Sequence, residues 1–447
     1  MYNKEKDVLI MFCGIIGTND AKTMYQFDET NNKLIVKYRS DEWINEISTK
    51  TLEGSIFPKN RNIIFYKESC FKYLCGTVTT NINMLIEKKC NKYGVSKIQF
   101  NLKELDFMFS DFNKINKNVF KRSDITIPTF EELNTKEYDI EIDKKKMKFL
   151  FEYSYTIAPN DLSPINFNLY FSIIYDFNND YDLIYKTIKY VKKLFSFLCY
   201  RSNINFEEIK ISYKNSDNKY EQNGIIKFFN ESIIEKDLES DIKKSVFPFY
   251  LVRDNIDTIF QRIIDNKIGL RYLPDSYYKR DKYFPPRLFM ICSTFEFEFR
   301  ESFGNKVEHE KKTIQEREHI KNLLDNIILN NELNSKEKSI INRMKRIADS
   351  ESYSSMVKEI LKKSELINNI SKDYYSIHGK SYNITPLCNT LQTMRNDLAH
   401  YNINGRYEES RLFAIRLLEI MIYCMQLSCC NISDNNIVFI IQYIFNN

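Results

Sequence analysis

The stretch RDNIDTIFQRII, residues 253–264, marks the point at which the spacing of apolar residues changes. Its apolar side chains fall three or four positions apart and therefore share one face of a helix; they are Ile256, Ile259, Phe260, Ile263 and Ile264. Before this stretch the apolar residues come in short runs, and after it the helical spacing continues. We therefore predict an α+β fold, in which a β-rich N-terminal half at residues 1–245 precedes an all-α helical half at residues 246–447.

The N-terminal half has the pattern of short strands. Runs rich in Ile, Val, Tyr and Phe, broken by Asn, Asp and Gly, predict strands, and the clearest lie at residues 8–17, 33–38, 62–68, 97–102, 148–157 and 167–177. One amphipathic helix interrupts them near residues 184–198. Its lysines, at positions 186, 189, 192 and 193, could contact phosphate, although a solvated face is the simpler interpretation.

The C-terminal half has helical spacing almost throughout. Helices are predicted over residues 287–303, 313–330, 336–349 and 355–370. The next begins where Thr385 precedes Pro386, a favourable helix start, and runs to about residue 400. A last apolar helix reaches about residue 430, and because it contains Arg416 and Glu419 we predict a buried helix and not a membrane span.

The charge and the cysteines limit the classes of function. Lysine and arginine number 65 against 60 acidic residues, and the pI of about 8.4 is below that of a protein that coats nucleic acid. A site for a polyanion must therefore be local. The ten cysteines contain no C-x-x-C pair and lie near no histidine pair, which argues against zinc. We expect no metal, no cofactor, and reduced thiols in a cytoplasmic protein.

The sequence TMRNDLAHYN, residues 393–402, is the clearest candidate site. The helix that carries it has one apolar stripe, formed by Leu387, Leu391, Met394 and Leu398. At about 100° per residue, Asn396 and His400 fall nearly opposite that stripe, one turn apart. Arg395 lies on the flank, where its long side chain can project the guanidinium around the helix. The pattern alone favours a surface arginine and an exposed histidine at a helix end, because this spacing is common by chance.

A resemblance to a known family adds to this pattern. RNDLAH, Arg395 to His400, lies in a helical half directly before a last long helix, and it resembles the Arg-x(4 to 6)-His motif of HEPN domains. The order of a β-rich half and this helical half is similar to the ApeA-like HEPN proteins of prokaryotic phage defence. In that comparison residues 287–303 match the early helix of the bundle. Glu296 matches an acidic position that faces the motif arginine, with Glu298 as the alternative.

The resemblance implies a metal-independent ribonuclease without a cofactor. In that chemistry the RNA 2′-hydroxyl attacks the adjacent phosphate and leaves a cyclic phosphate and a 5′-hydroxyl. Histidine has an ordinary pKa of about 6.5, so His400 suits proton transfer near neutral pH. Arg395 suits the charge on the phosphorane, and Asn396 could orient the imidazole or hold the phosphate. One histidine serves one proton transfer at a time, which agrees with the implied homodimer of two motifs.

The expected partners are RNA, with tRNA as one candidate, a second copy bound through the HEPN domain, and a phage-derived trigger. The N-terminal half would sense or regulate, and no membrane partner is expected. Two other interpretations stay open. The helical half could be a non-catalytic module that binds RNA or nucleotides, with Arg395 and His400 only gripping phosphate. Alternatively, the whole chain could be a scaffold whose C-terminal helices serve assembly.

Overall fold

The computed structural model describes residues 11–16, 23–37, 50–56, 61–69, 77–109, 136–157, 165–229, 237–304, 307, 311–349, 351–399 and 409–445. Its N-terminal half is an antiparallel β structure and its C-terminal half is helical, so the predicted α+β class is confirmed. The chain divides into two compact units. Unit 1 comprises Met1–Asp265 with Asp275–Tyr278, and unit 2 comprises Asn266–Pro274 with Lys279–Asn447.

Thirteen strands are described in unit 1, and they pair in the order β6-β3-β2-β1-β4-β5-β7-β13-β12-β8-β11-β10-β9. They are β1 (Met11–Ile16), β2 (Thr23–Asp28), β3 (Lys33–Lys37), β4 (Thr51–Ile56), β5 (Arg61–Tyr66), β6 (Thr77–Asn81), β7 (Met84–Lys88), β8 (Val95–Asn101), β9 (Tyr138–Ile142), β10 (Lys145–Ile157), β11 (Ile165–Asn178), β12 (Glu208–Lys214) and β13 (Tyr220–Phe228). The six predicted strands quoted from the sequence all fall on strands of this sheet.

The first seven strands close into a barrel. Only Ile82 and Asn83 separate β6 from β7, yet β6 pairs with β3 while β7 pairs with β5. The continuous run from β6 to β7 therefore joins the two ends of the order β3-β2-β1-β4-β5. A small barrel of this kind is filled by side chains. Here they are Tyr25, Phe27, Leu34, Val36, Leu52, Ile63, Phe65, Ile82 and Leu85.

Twelve helices are described in the two units. They are α1 (Lys103–Met108), α2 (Tyr181–Leu198), α3 (Glu239–Lys244), α4 (Ile256–Ile264), α5 (Pro285–Phe303), α6 (Lys311–Asn330), α7 (Ser335–Asp349), α8 (Tyr353–Lys363), α9 (Glu365–Ile377), α10 (Ile384–Ala399), α11 (Glu409–Cys429) and α12 (Asp434–Phe445). Single 3-10 turns lie at Phe249–Leu251, Arg253–Asn255 and Tyr277–Lys279.

Unit 1 extends further than the predicted boundary at residue 245, because α4 packs on the sheet. The Phe260 ring lies 5.5 Å from the Phe149 ring and 6.1 Å from the Phe171 ring, measured between centroids. Phe171 also meets Phe195 of α2 at 5.5 Å. The helix at which the periodicity changes thus belongs to the β-rich unit, and the division falls at residue 265.

Two of the four lysines on the face of α2 form ion pairs. Lys186 Nζ lies 2.6 Å from Asp143 Oδ2, and Lys189 Nζ lies 3.1 Å from Glu68 Oε1. Burial lowers the pKa of the Lys192 ammonium to about 8. These contacts agree with the simpler interpretation of a surface helix face, and they leave less positive charge for a phosphate than the sequence count suggests.

The predicted helix over residues 355–370 is wrong in one respect, because Ser364 divides it into α8 and α9. Ser364 has an extended backbone, with φ −102° and ψ 103°. Its hydroxyl oxygen accepts a hydrogen bond from the Ile367 amide at 3.2 Å, which caps α9. The last helix, α12, was not predicted.

Helix α11 is the one helix of the described residues that is long and apolar enough to cross a membrane by length and composition. Within its most apolar window, 78% of the residues are buried inside the protein. Its two charged core residues have partners: Glu419 accepts hydrogen bonds from Arg287 and from the Tyr283 hydroxyl, and Arg416 lies 3.5 Å from Glu419. The prediction of a buried helix is confirmed.

Candidate active site on helix α10

The RNDLAH motif lies at the end of α10. The helix begins at Ile384, and Asn383 provides its cap, because the Asn383 side-chain oxygen accepts from the Thr385 amide at 3.1 Å. The predicted cap, Thr385, is therefore already inside the helix. The predicted stripe is confirmed, since Leu387, Leu391, Met394 and Leu398 are all buried. The helix is described as far as Ala399, and His400 lies outside the described residues.

Arg395 forms an ion pair with Glu296 of α5. The Arg395 Nε atom donates to Glu296 Oε1 at 3.2 Å, and 42% of the arginine side chain stays exposed. The other carboxylate oxygen of Glu296 lies 3.7 Å from Arg300 Nη2. Glu296 is thus placed between two arginines, one on its own helix and one on α10, and the three side chains leave a net positive charge at this surface.

Glu298, the alternative partner for Arg395, has another role. It is fully buried, and its Oε1 accepts from the Gly269 amide at 2.7 Å and from Gln426 Nε2 at 2.8 Å. Two positions along a helix correspond to about 200° of rotation, so Glu296 and Glu298 face opposite sides of α5. Of these two carboxylates, only Glu296 contacts the motif arginine.

Asn396 is exposed and is oriented by the preceding helical turn. Gln392 Nε2 donates to Asn396 Oδ1 at 3.1 Å. The carbonyl oxygen of the Gln392 side chain accepts from the Ser354 amide at 3.0 Å, in the first turn of α8. Gln392 therefore fixes the oxygen of Asn396, and the Asn396 amino group has no partner among the described residues. That group is a donor available to an anion.

Two neutral side chains lie next to the ion pair. Burial raises the pKa of the Cys292 thiol, one turn before Glu296, to about 12. Burial also raises the pKa of the Tyr353 hydroxyl, whose ring packs on Phe295 with centroids 5.0 Å apart, well above its ordinary value. Both groups stay protonated at neutral pH. Neither group therefore supplies a nucleophile or a base.

Asp397, inside the motif, is committed to the next helix. Arg411, in the first turn of α11, donates from Nη1 to Asp397 Oδ2 at 2.9 Å. This pair joins the two helices that flank residues 400–408. Asp397 is therefore a structural residue, and the described polar groups that face solvent at the motif are Arg395 and Asn396.

Some of these contacts could not be identified from the sequence. Arg300 had a detectable signal, since it lies four positions after Glu296, a spacing at which opposite charges meet on a helix. Ser354 had none, because its contribution is a backbone amide at a helix end. Asp397 also had none, because its partner, Arg411, lies on the next helix.

The described residues contain no group of three His, Cys, Asp or Glu side chains that could hold a metal ion. Comparisons with protein-family models, with curated proteins and with solved structures found no match for this chain. A functional proposal must therefore be argued from the chemistry of Arg395, Asn396 and the histidine that follows α10.

Proposed function

We propose that the chain is a metal-independent endoribonuclease of the HEPN type, which acts in antiviral defence as a homodimer. The resemblance of RNDLAH to the HEPN motif supports this proposal, as does the surface at Arg395. It is a concentration of donors and positive charge on a chain whose net charge is only +5. A local site of this kind is what the overall composition requires of a protein that binds a polyanion.

One observation carries the proposal: Glu296 contacts Arg395 through Nε alone. The two terminal nitrogens of the guanidinium have no partner among the described residues, and the side chain is 42% exposed. The planar fork of an arginine matches two oxygens of a phosphate. Anchoring Nε restricts the rotation of this fork, so less conformational entropy is lost when it binds the scissile phosphate.

The chemistry follows from these donors. His400 takes the proton of the RNA 2′-hydroxyl, and the 2′-oxygen then attacks the adjacent phosphorus. Arg395 stabilises the negative charge that builds on the phosphorane oxygens, and the Asn396 amino group adds a second donor. The bond from phosphorus to the 5′-oxygen breaks, and a protonated histidine gives that oxygen its proton. The products are a 2′,3′-cyclic phosphate and a 5′-hydroxyl.

A single histidine cannot be base and acid in the same turnover unless it moves between the two oxygens. Two copies of the motif in one site remove this requirement, because one His400 is neutral and the other is protonated. We therefore assign a homodimer to the active form. Glu296 is a positioning residue in this scheme, since it touches Arg395 and not the substrate.

The proposed defence role also suggests the substrate, the role of unit 1 and the location of the protein. The substrate is cellular or phage RNA, with tRNA as a candidate, and the β-rich unit 1 senses or regulates in response to a phage-derived trigger. The protein acts in the cytoplasm and needs no cofactor. Unit 1, which contains the barrel, is a compact unit of its own, and this suits a regulatory element that is built independently of the catalytic helices.

The test incubates purified protein with total RNA in EDTA and maps new ends. Wild type should cut and leave 5′-hydroxyl ends, while Arg395→Ala and His400→Ala should not. His319→Ala and Arg61→Ala remove an exposed histidine and an exposed arginine elsewhere, and both should cut like wild type. Equal cutting by all five proteins would contradict the proposal. If the protein is active only with its trigger, the same comparison of RNA ends in phage-infected cells should show the cleavage. Intact RNA in those cells as well would favour the non-catalytic interpretation.

A further inference from the structure

Helices α6 and α7 form an antiparallel hairpin with little packing of its own. Two ion pairs fix the register of the hairpin: Lys345 to Asp325 at 2.5 Å, and Arg317 to Glu351 at 3.1 Å. Burial is described for residues 311–348, and no side chain of α6 or α7 in this range is buried. Helices of this length gain most of their stability by packing an apolar face. The hairpin therefore leaves much of its apolar surface exposed.

That surface is concentrated on one side. Helix α6 exposes Ile320, Leu323 and Ile327 by 46%, 49% and 43%, and α7 exposes Ile340, Met344 and Ile347 by 55%, 50% and 62%. The spacing of three and four places each trio in one stripe. We call these six residues the hairpin face. A contiguous apolar surface of this kind is unusual on a monomer and marks an interaction site.

Helical geometry places both stripes on the same side. The half-buried residues Leu324, Ile328, Ile341 and Ala348 mark the line where the two helices meet. On each helix the exposed stripe is rotated from that line by about 90–100° in the same sense. In an antiparallel pair, equal rotations in the same sense lead to the same side of the hairpin. Ile314 and Leu329, which are also exposed, are rotated the other way and lie on the opposite side.

We propose that the hairpin face binds the same face of a second copy of this chain. The ion-pair register sets Leu323 level with Ile347, and Ile327 level with Met344. A two-fold axis parallel to the helices keeps every residue at its own height. Leu323 then meets Ile347 of the partner subunit, and Ile327 meets Met344 of the partner subunit, so apolar layers face apolar layers along the contact. The product is an antiparallel four-helix bundle.

The size of the surface suits such a dimer. Six half-exposed Ile, Leu and Met side chains from each copy, together with their polar border, would remove on the order of 1,000 Å² from water, which is the scale of a specific interface. The contact is apolar at its centre and polar at its rim, as association surfaces are.

The charges beside the hairpin face favour a second copy over a polyanion. On this side α6 carries Lys312 and Glu316, whose charged atoms are 4.0 Å apart, and α7 carries Lys336, Glu337 and Arg343. These charges are of both signs. A nucleic acid or an anionic membrane would require a uniformly basic surface, whereas a copy of the same face meets charges of both signs and only a small net charge. The proposal names a contact surface for the homodimer that the proposed function assigns, but it does not rest on ribonuclease activity, and its test needs no RNA.

The first test measures the mass of the full chain in solution over a concentration series. Wild type should be dimeric at micromolar concentration. Leu323→Glu combined with Met344→Glu should raise the dimer dissociation constant at least tenfold. The matched control, Ile314→Glu combined with Leu329→Glu, adds the same charges on the opposite side of the same hairpin and should leave the constant unchanged. A melting curve for each variant checks that the fold is kept.

A second test identifies the face directly. Leu323→Cys chains and Ile347→Cys chains are purified separately, mixed, and oxidised. A cross-linked dimer should form in the mixture and not from either variant alone. A cysteine at position 323 meets a cysteine at position 347 only when one chain of the dimer carries each substitution. The proposal is overturned if wild type is monomeric, if both pairs of glutamate substitutions change the dissociation constant equally, or if the mixture gives no cross-link. A dimer that the hairpin substitutions leave intact would place the interface elsewhere on the chain.

Discussion

The Arg395 Nε atom lies 3.2 Å from Glu296 Oε1, and this contact joins α10 to α5 at the position where the sequence places its RNDLAH motif. It binds one edge of the guanidinium and leaves the two terminal nitrogens without a partner among the described residues. An arginine in this state is positioned and still able to bind an anion. That combination distinguishes Arg395 from Arg287, which donates to carbonyls and to Glu419 inside the helical unit.

Glu296→Gln should lower RNA cleavage while leaving stability nearly unchanged. The amide keeps a weaker contact to Arg395, and displacement of a catalytic group can cost up to about a hundredfold in rate. The pair is partly exposed, so the free energy of unfolding should change by less than about 1 kcal/mol. Initial cleavage rates and urea unfolding measure the two effects. Glu301→Gln, on an exposed position of the same helix, is the control, and an equal loss of activity in it would remove the special role of Glu296.

Glu298→Leu should lower stability while leaving RNA cleavage nearly unchanged. The substitution leaves the Gly269 amide and one N–H of the Gln426 amino group without an acceptor, while the other N–H keeps the Gly269 carbonyl; an unsatisfied buried donor costs roughly 1–3 kcal/mol. Urea unfolding should show this loss of stability. Cleavage by the folded fraction should stay near the wild-type rate. A stable Glu298→Leu protein with no activity would show that Glu298, and not Glu296, positions the motif arginine.

Glu419→Ala should destabilise the helical unit strongly. Glu419 is fully buried and accepts from Arg287, Tyr283 and Arg416, so its removal leaves buried positive charge uncompensated. The expected loss is about 3–5 kcal/mol in the free energy of unfolding. Glu409→Ala removes a 91% exposed carboxylate from the start of the same helix and should change little. A loss below 1 kcal/mol for Glu419→Ala would mean that the network contributes little to the helical unit.

Lys192→Met should stabilise the protein at neutral pH. Burial lowers the pKa of Lys192 to about 8, so the folded chain binds its proton less tightly than the unfolded chain does. By linkage, Lys192 disfavours folding increasingly as the pH falls from the lysine pKa of the unfolded chain to the lower pKa of the folded chain. This penalty is complete below about pH 8. Replacement should raise the unfolding free energy at pH 7 by about 1 kcal/mol and have no effect near pH 11. Lys186→Met, which breaks an exposed pair with Asp143, should give no such gain.

Ser364→Ala should test the break between α8 and α9. The loss of the cap on the Ile367 amide should cost about 1 kcal/mol. Chemical unfolding measures the change, with Ser339→Ala, an exposed position inside α7, as the control. If the two substitutions have equal effects, Ser364 is not the residue that divides the predicted helix.

Local patterns predicted most of the described helices and six of the thirteen described strands, because each depends on the spacing of apolar side chains. Helices α5, α6, α7, α10 and α11 all fall where that spacing placed them. The closure of the barrel could not be read in this way, since it depends on β6 and β7 pairing with different strands far away in the chain. The membership of α4 in unit 1 depends in the same way on the distant rings of Phe149 and Phe171.

The sequence also predicted only part of the candidate site. The stripe of α10 fixed Asn396 on the solvent side and Arg395 on the flank. The resemblance favoured Glu296, but the residue pattern did not exclude Glu298, because both are acidic residues of one helix and only the rotation of α5 against α10 separates them. The contribution of Gln392, which connects Asn396 to the Ser354 amide, needed the position of a helix end.

We propose that this site cuts RNA by attack of the 2′-hydroxyl, with Arg395 stabilising the phosphorane. The most direct measurement uses an RNA oligonucleotide that spans a mapped cleavage site, in EDTA, and compares it with the same oligonucleotide carrying one 2′-deoxy nucleotide on the 5′ side of the scissile phosphate. We predict cleavage of the first to a 2′,3′-cyclic phosphate, no cleavage of the second, and no cleavage of either by Arg395→Ala. Cleavage of the 2′-deoxy substrate, or an undiminished rate with Arg395→Ala, would contradict the account.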